Sequence, residues 1–134
     1  MLAESRAHGA DLVLLMVSVL GEKTVEMAAQ AFSHRLEPLV EVRDAAEIAI
    51  AARSGARLIG INNRNLETLA VDLSTGARLL PLLPADVYPV VESGISAADQ
   101  VRDFHRAGAR LFLIGESLAG SKVPADTIRG YVGK

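Results

Sequence analysis

Gly55-Ala56-Arg57-Leu58-Ile59-Gly60-Ile61-Asn62-Asn63-Arg64-Asn65-Leu66 decides how the rest of the chain is read. It opens on a glycine suited to ending a helix in the left-handed conformation, passes a charged residue and enters a short apolar strand. It then breaks off in three asparagines and an arginine. The same layout returns at Gly9-Ala10-Asp11-Leu12-Val13-Leu14-Leu15 and at Gly108-Ala109-Arg110-Leu111-Phe112-Leu113-Ile114. A helix-to-strand junction that recurs along a chain marks parallel βα units.

Two further strands are expected between these, Leu39-Val40-Glu41-Val42 after Pro38 and Val87-Tyr88-Pro89-Val90-Val91 after Asp86. Pro89 lacks a ladder donor, so this strand needs a bulge or a late start. Helices are expected over residues 1–8, 22–34, 45–54, 73–82, 97–107 and 125–132, with Asp44, Asp72 and Ser96 as N-caps. Glu47, three residues after Asp44, adds a near capping box. The order is one helix followed by five βα units, a single domain over residues 1–134.

With 134 residues the chain is long enough to bury a substantial core. Half of it is hydrophobic but only 4% aromatic, so that core must be aliphatic, as in parallel sheets covered by helices. A net charge of −2 with mixed signs argues against a nucleic-acid surface or a polybasic membrane patch. No cysteine is present, which rules out disulfide and thiolate chemistry. The apolar run from Leu12 to Leu20 is too short to span a bilayer, and the charged N-terminus does not read as a signal peptide. A soluble, cytoplasmic protein is expected.

The polar residues gather at the C-terminal ends of the strands. Glu41 with Arg43 and Asp44 follows the second strand, and Asn62 to Asn65 the third. Glu92-Ser93-Gly94-Ile95-Ser96 follows the fourth, and Gly115-Glu116-Ser117 the fifth. In parallel α/β proteins these ends share one side of the sheet, where sites are built. Glu41 alternates with Val40 and Val42, so it points away from them and needs either a structural partner or a task. Glu92 poses the same choice. The small residues Ser93, Gly94 and Gly115 suit ordinary turns, or together a backbone-amide cradle for phosphate. His8, His34 and His105 lie on helical segments, and no metal or cofactor is expected.

The stretches Glu37-Pro38-Leu39-Val40-Glu41-Val42, 59–66, Val91-Glu92-Ser93-Gly94-Ile95 and Phe112-Leu113-Ile114-Gly115-Glu116-Ser117-Leu118 closely resemble indole-3-glycerol phosphate synthase, in order and spacing, over nearly the whole chain. The resemblance implies a partial TIM (βα)8 barrel, strands four to eight. An open, flavodoxin-like doubly wound sheet is the alternative fold. It also implies roles. Glu41 matches a general base, Asn62 the amide that holds it, and Glu92 an active-site carboxylate. Arg64, Leu66 and Ser93 match substrate contacts, and Ser93, Gly94, Gly115 and Glu116 the phosphate loops. Arg43 departs from the family, where histidine or asparagine is commoner.

The family's reaction decarboxylates and dehydrates 1-(2-carboxyphenylamino)-1-deoxyribulose 5-phosphate, closing the indole ring in tryptophan biosynthesis. The lysines that the resemblance assigns to strands one and three have no counterpart here, since Lys23, Lys122 and Lys134 fall in helices, loops or the terminus. The chain is therefore expected to be inactive alone. The alternative is a non-catalytic phosphate-binding or self-assembling half-barrel. A related barrel, phosphoribosylanthranilate isomerase, fits the asparagine stretch poorly. Five strands cannot close an eight-stranded barrel, so open edges at 12–17 and 111–114 predict self-association or complementation by an N-terminal half.

Overall fold

The computed structural model describes residues 1–133. Helix α1 (Leu2–Ala7) leads into β1 (Leu12–Met16), a short helix α2 (Val17–Leu20) and α3 (Lys23–Ser33). Then β2 (Glu37–Val42), α4 (Ala45–Arg53), β3 (Leu58–Asn62) and α5 (Ser74–Leu79) follow, the last continued by a 3-10 turn at Leu80–Leu82. The chain continues through β4 (Tyr88–Glu92), α6 (Ala98–Arg106), β5 (Leu111–Leu113), α7 (Glu116–Ala119) and α8 (Pro124–Val132).

All four strand pairings are parallel, and the spatial order is β1-β2-β3-β4-β5. Each strand is laid beside the one before it, with no reversal. A doubly wound sheet of flavodoxin type reverses at a switch point, so the observed order is that of consecutive barrel strands. Right-handed crossovers that all step the same way put every connecting helix on one face. The sheet remains open, because β1 and β5 have no partner on their outer sides among the described residues.

Register explains the two faces. Val13, Leu15, Val40, Val42, Ile59, Ile61, Val91 and Phe112 have the parity that faces the helices, where they pack with Ala28, Ile48, Ala51 and Phe104. The opposite parity carries Leu12, Leu14, Leu39, Glu41, Gly60, Asn62, Val90, Glu92, Leu111 and Leu113. On that face Leu12, Leu14, Tyr88, Leu111 and Leu113 are 43–50% exposed, all toward the open rims of the sheet.

Both strand prolines sit where their missing donor does least harm. Donors alternate sides along a strand. Glu37 N donates to Asp11 O, on the β1 side, which turns Pro38 toward β3 one residue before Leu39, the first to pair there. Tyr88 N donates to Arg57 O, which turns Pro89 toward β5 one residue before Val90. No bulge is needed, and β2 starts two residues earlier than expected. The three junction glycines adopt positive φ, as their pattern implies: Gly9 at 88°, Gly55 at 72° and Gly108 at 112°.

The helix ends bring corrections. Asp44 does cap α4, its Oδ1 accepting from Glu47 N at 2.9 Å. Ser96 does not cap α6; the N-cap is Ala97, and Gln100 Oε1 accepts from the Ser96 and Ala97 amides at 2.8 and 3.1 Å. Asp72 lies one residue before the α5 N-cap, Leu73, and binds the amide and hydroxyl of Ser74. Helix α5 stops at Leu79 because Pro81 cannot donate to the carbonyl four residues back.

Ile61 is fully buried between sheet and helices, whereas Leu113 is half exposed on the other face. Ile61→Ala is expected to destabilise the fold by about 2–5 kcal/mol in urea unfolding, and Leu113→Ala by under about 1 kcal/mol. Equal losses would mean that the two faces have been wrongly distinguished.

Candidate functional site

Parallel pairing brings the C-terminal ends of all five strands to one rim, and the polar strand ends meet there. Glu41 leaves β2 on the open face beside Gly60 of β3, its register partner. Asn62, two residues beyond Gly60, shares that face and pairs in register with Glu92. All three polar side chains are buried. Asn62 Nδ2 donates to Glu41 Oε2 at 3.2 Å, while its Oδ1 accepts from the Arg64 amide at 2.9 Å. One side chain thus ties a carboxylate on one strand to the turn leaving the next.

Glu92 is the electrostatically unusual group. Burial first, then the negative charge of the neighbouring Glu41, push its carboxyl up to about 8. One oxygen of each carboxyl, Glu41 Oε1 and Glu92 Oε1, is buried without a hydrogen-bond partner among the described residues. A third inward carboxyl, Glu37, stands four residues below Glu41 on the same face, also with a partnerless Oε1. Its parity with Glu41 was visible in the sequence, but its place inside the strand was not.

Beside this wall lies a cleft of about 780 Å³ lined by Arg64, Glu92, Ser93, Gly94, Gly115 and Glu116, among others. Ser93 and Gly94 both take positive φ, 63° and 83°. The serine holds a conformation that side chains rarely adopt, and such strain gathers at functional turns. A side chain at position 94 would run into Val71. Gly115 is different, since a Cβ there would meet nothing.

Arg64 reaches across the cleft, Nη2 to Glu116 Oε2 at 2.8 Å, with Nη1 on Leu69 O at 3.1 Å. The Glu116 side chain therefore takes part in the cleft, a role that the backbone-amide expectation did not include. Leu66 is the expected site residue that is not brought in. Asn65 Oδ1 folds the following turn by accepting from the amides of Glu67 and Thr68, and Leu66 stands exposed outside the cleft lining. Arg43 is engaged with Glu47, which accepts its backbone amide at 2.7 Å.

Asn63 was missed. It is buried and points to the helix side, where Nδ2 donates to the carbonyls of Glu92 and Ser93, both at 3.1 Å, and Oδ1 accepts from Gly76 N at 2.9 Å. It clamps the Glu92–Ser93 turn to α5. The available signal was the doubled asparagine: alternation sends the two side chains to opposite faces.

The raised Glu92 carboxyl makes stability depend on pH. Below the ordinary value of 4.5 the folded and unfolded chains both hold this proton; between there and about 8 only the folded chain does. Stability contributed by Glu92 is therefore lost as pH rises through that interval. Between pH 5 and pH 9 the melting temperature should fall by roughly 5 °C or more relative to Glu92→Gln, measured by circular dichroism. Parallel pH profiles for the two proteins would contradict the assignment.

A family model for indole-3-glycerol phosphate synthase matches residues 1–130. Indole-3-glycerol phosphate synthase 1 of Streptomyces coelicolor is 42% identical over 130 residues, covering 96% of this chain and 48% of the relative. The Nocardioides enzyme of that name is 44% identical over 131 residues, covering 97% and 50%. The chain spans about half the length of the curated relatives it matches. Among solved structures, 3-hexulose-6-phosphate synthase superposes with a TM-score of 0.71 at 19% identity, covering 98% of this chain and 65% of that one. FabK from Thermotoga maritima gives 0.70 at 10% identity, covering 90% and 38%; both likenesses speak to fold alone. With its own motifs lying on one rim of consecutive parallel strands, the chain belongs to the indole-3-glycerol phosphate synthase family.

Proposed function

We propose that this chain is a single-domain piece of an indole-3-glycerol phosphate synthase, strands four to eight of its barrel, carrying the base side and the phosphate grip of the site. The observation that supports it most is the wall Glu41–Asn62–Glu92 standing beside the cleft at 93–94 and 115–116. The reaction that wall would serve is decarboxylation and dehydration of 1-(2-carboxyphenylamino)-1-deoxyribulose 5-phosphate, in cytoplasmic tryptophan biosynthesis.

In this reading Glu41 accepts the proton released as the ring becomes aromatic, and Asn62 holds its carboxylate in place. Backbone amides of Ser93, Gly94, Gly115 and Glu116 receive the phosphate. Arg64 supplies a planar cation for a second anionic group, at the expense of its ion pair with Glu116. Leu66 would reach the ligand only if its turn closed over the cleft. Loss of the substrate's hydroxyl needs a proton donor, a role that the family resemblance gives to a strand-three lysine outside this wall. Lys23 begins α3 and Lys122 precedes α8, neither lines the cleft, and Lys134 lies outside the described residues. The five-unit piece by itself is accordingly inactive.

Titration calorimetry with inorganic phosphate tests the grip. Binding in the millimolar range is expected, with a loss of about tenfold or more in Gly115→Asp, where an added carboxylate repels the anion and the backbone has room for it. The same protein should form no indole product from the substrate. Equal phosphate binding by both proteins would remove the phosphate reading, and turnover by the chain alone would remove the inactivity.

The exposed leucines on the open face favour a second reading, which is compatible with the first. Leu12 and Leu14 on one rim and Leu111 and Leu113 on the other leave apolar surface beside unpaired strand edges. Self-association, or pairing with a separate N-terminal half, would cover it. Size-exclusion chromatography with light scattering should give a mass above the 14.2 kDa monomer at high concentration. A clean monomer would exclude the self-association.

A further inference from the structure

Glu41 and Glu92 do not lie on adjacent strands. Between them runs β3, and the β3 residue that pairs with Glu41 is Gly60. The Glu92 carboxyl lies over that glycine, where a Cβ would overlap Glu92 Oε1, sit 3.0 Å from its Cδ and press on Leu39 at 3.4 Å. Every other residue of β3 carries a side chain. The gap therefore falls at the one place on the middle strand where two carboxyl groups from its neighbours could meet.

Both carboxyls are more than nine-tenths buried, and each keeps one buried oxygen with no hydrogen-bond partner among the described residues. Among the described residues no cation is paired with either carboxyl. Met16 faces Glu41 from β1, Asn62 stands above Gly60, and Leu113 faces Glu92 from β5. Tyr88 lies four residues below Glu92 on β4, and Glu37 four below Glu41 on β2, the latter adding negative charge. Arg43 is paired with Glu47 and Arg64 with Glu116. Two neighbouring buried carboxylates cannot both stay ionised without a counter-charge.

We propose that Gly60 is a positioning residue, whose missing side chain lets the Glu41 and Glu92 carboxyl groups share a single proton across β3. The pair then carries one negative charge in place of two. Glu92 holds an acid proton next to the carboxylate of Glu41, so this wall offers a proton donor as well as an acceptor. Uptake of a proton by Glu41 and release of the one on Glu92 would leave the charge of the pair unchanged. The catalytic use of that donor rests on the function proposed above. The shared proton does not, since it is read without substrate.

The test is carboxyl titration by NMR on the whole chain labelled with 13C at glutamate Cδ. One glutamate should titrate near pH 8, and its signal should vanish in Glu92→Gln. In Glu41→Gln the like charge is gone and an amide can donate, so the Glu92 midpoint should fall by about one pH unit or more. Gly60→Ala should lower it too, by parting the two groups. Because that variant risks misfolding, Glu41→Gln, which keeps side-chain size, carries the decision. A Glu92 midpoint that is unchanged or higher in Glu41→Gln overturns the shared proton and leaves burial alone as the cause. Phosphate binding in calorimetry is independent of this result, so the two readings can fail separately.

Discussion

Parallel pairing in strict register is the constraint on which the rest of this molecule depends. Partners across a parallel ladder point to the same side, so a single parity choice in one strand propagates through all five. Valine and isoleucine of one parity are driven against the helices, where burial of each stabilises by about 1.5–3 kcal/mol. Everything of the other parity follows to the opposite face, whatever its chemistry. Glu41, Asn62 and Glu92 are carried there by Val40, Ile61 and Val91, and their burial is a consequence of the core, not a contribution to it.

That arrangement has a cost and a use. Buried carboxylates without cations are unfavourable, and the chain meets the problem locally. Asn62 supplies one hydrogen bond to Glu41, Gly60 makes room, and Glu92 takes up a proton. A site made this way is rigid, because its groups stand on strands and the turns above them are clamped. Asn63 binds both carbonyls of the Glu92–Ser93 turn and the first turns of α5, so the strained serine is held from two directions. Sequential strand order leaves the sheet open among the described residues, and apolar residues of its edge strands stay exposed.

Fold class and the gathering of polar residues at one rim were legible because each rests on local chemistry, whereas strand order was implied only by the family resemblance. Glycines at helix ends, aliphatic runs and polar strand ends are read from adjacent residues. The doubled asparagine at 62–63 was legible as a polar strand end, yet only one of its members was given a role. Alternation separates them, and what Asn63 touches depends on where Gly76 and Ser93 arrive, thirteen and thirty residues away. The same holds for Glu116, whose carboxylate meets Arg64 across 52 positions. The Ser96 cap failed for a smaller reason: Gln100 competes with Ser96 for the start of α6, and a one-residue shift decides between them.

The amino-acid sequence by itself determined that this is a parallel βα protein of a recognisable family, with Glu41, Asn62 and Glu92 on a common rim. Those properties follow from periodicity, turn chemistry and motif spacing, which act over a few residues at a time. Only the tertiary structure decided that the Glu92 carboxyl lies over Gly60, the register partner of Glu41, that Arg64 spends its charge on Glu116, and that Leu66 stands outside the cleft. These are contacts between strand ends brought together by pairing, and proton sharing depends on separations of a few ångströms that no local pattern encodes.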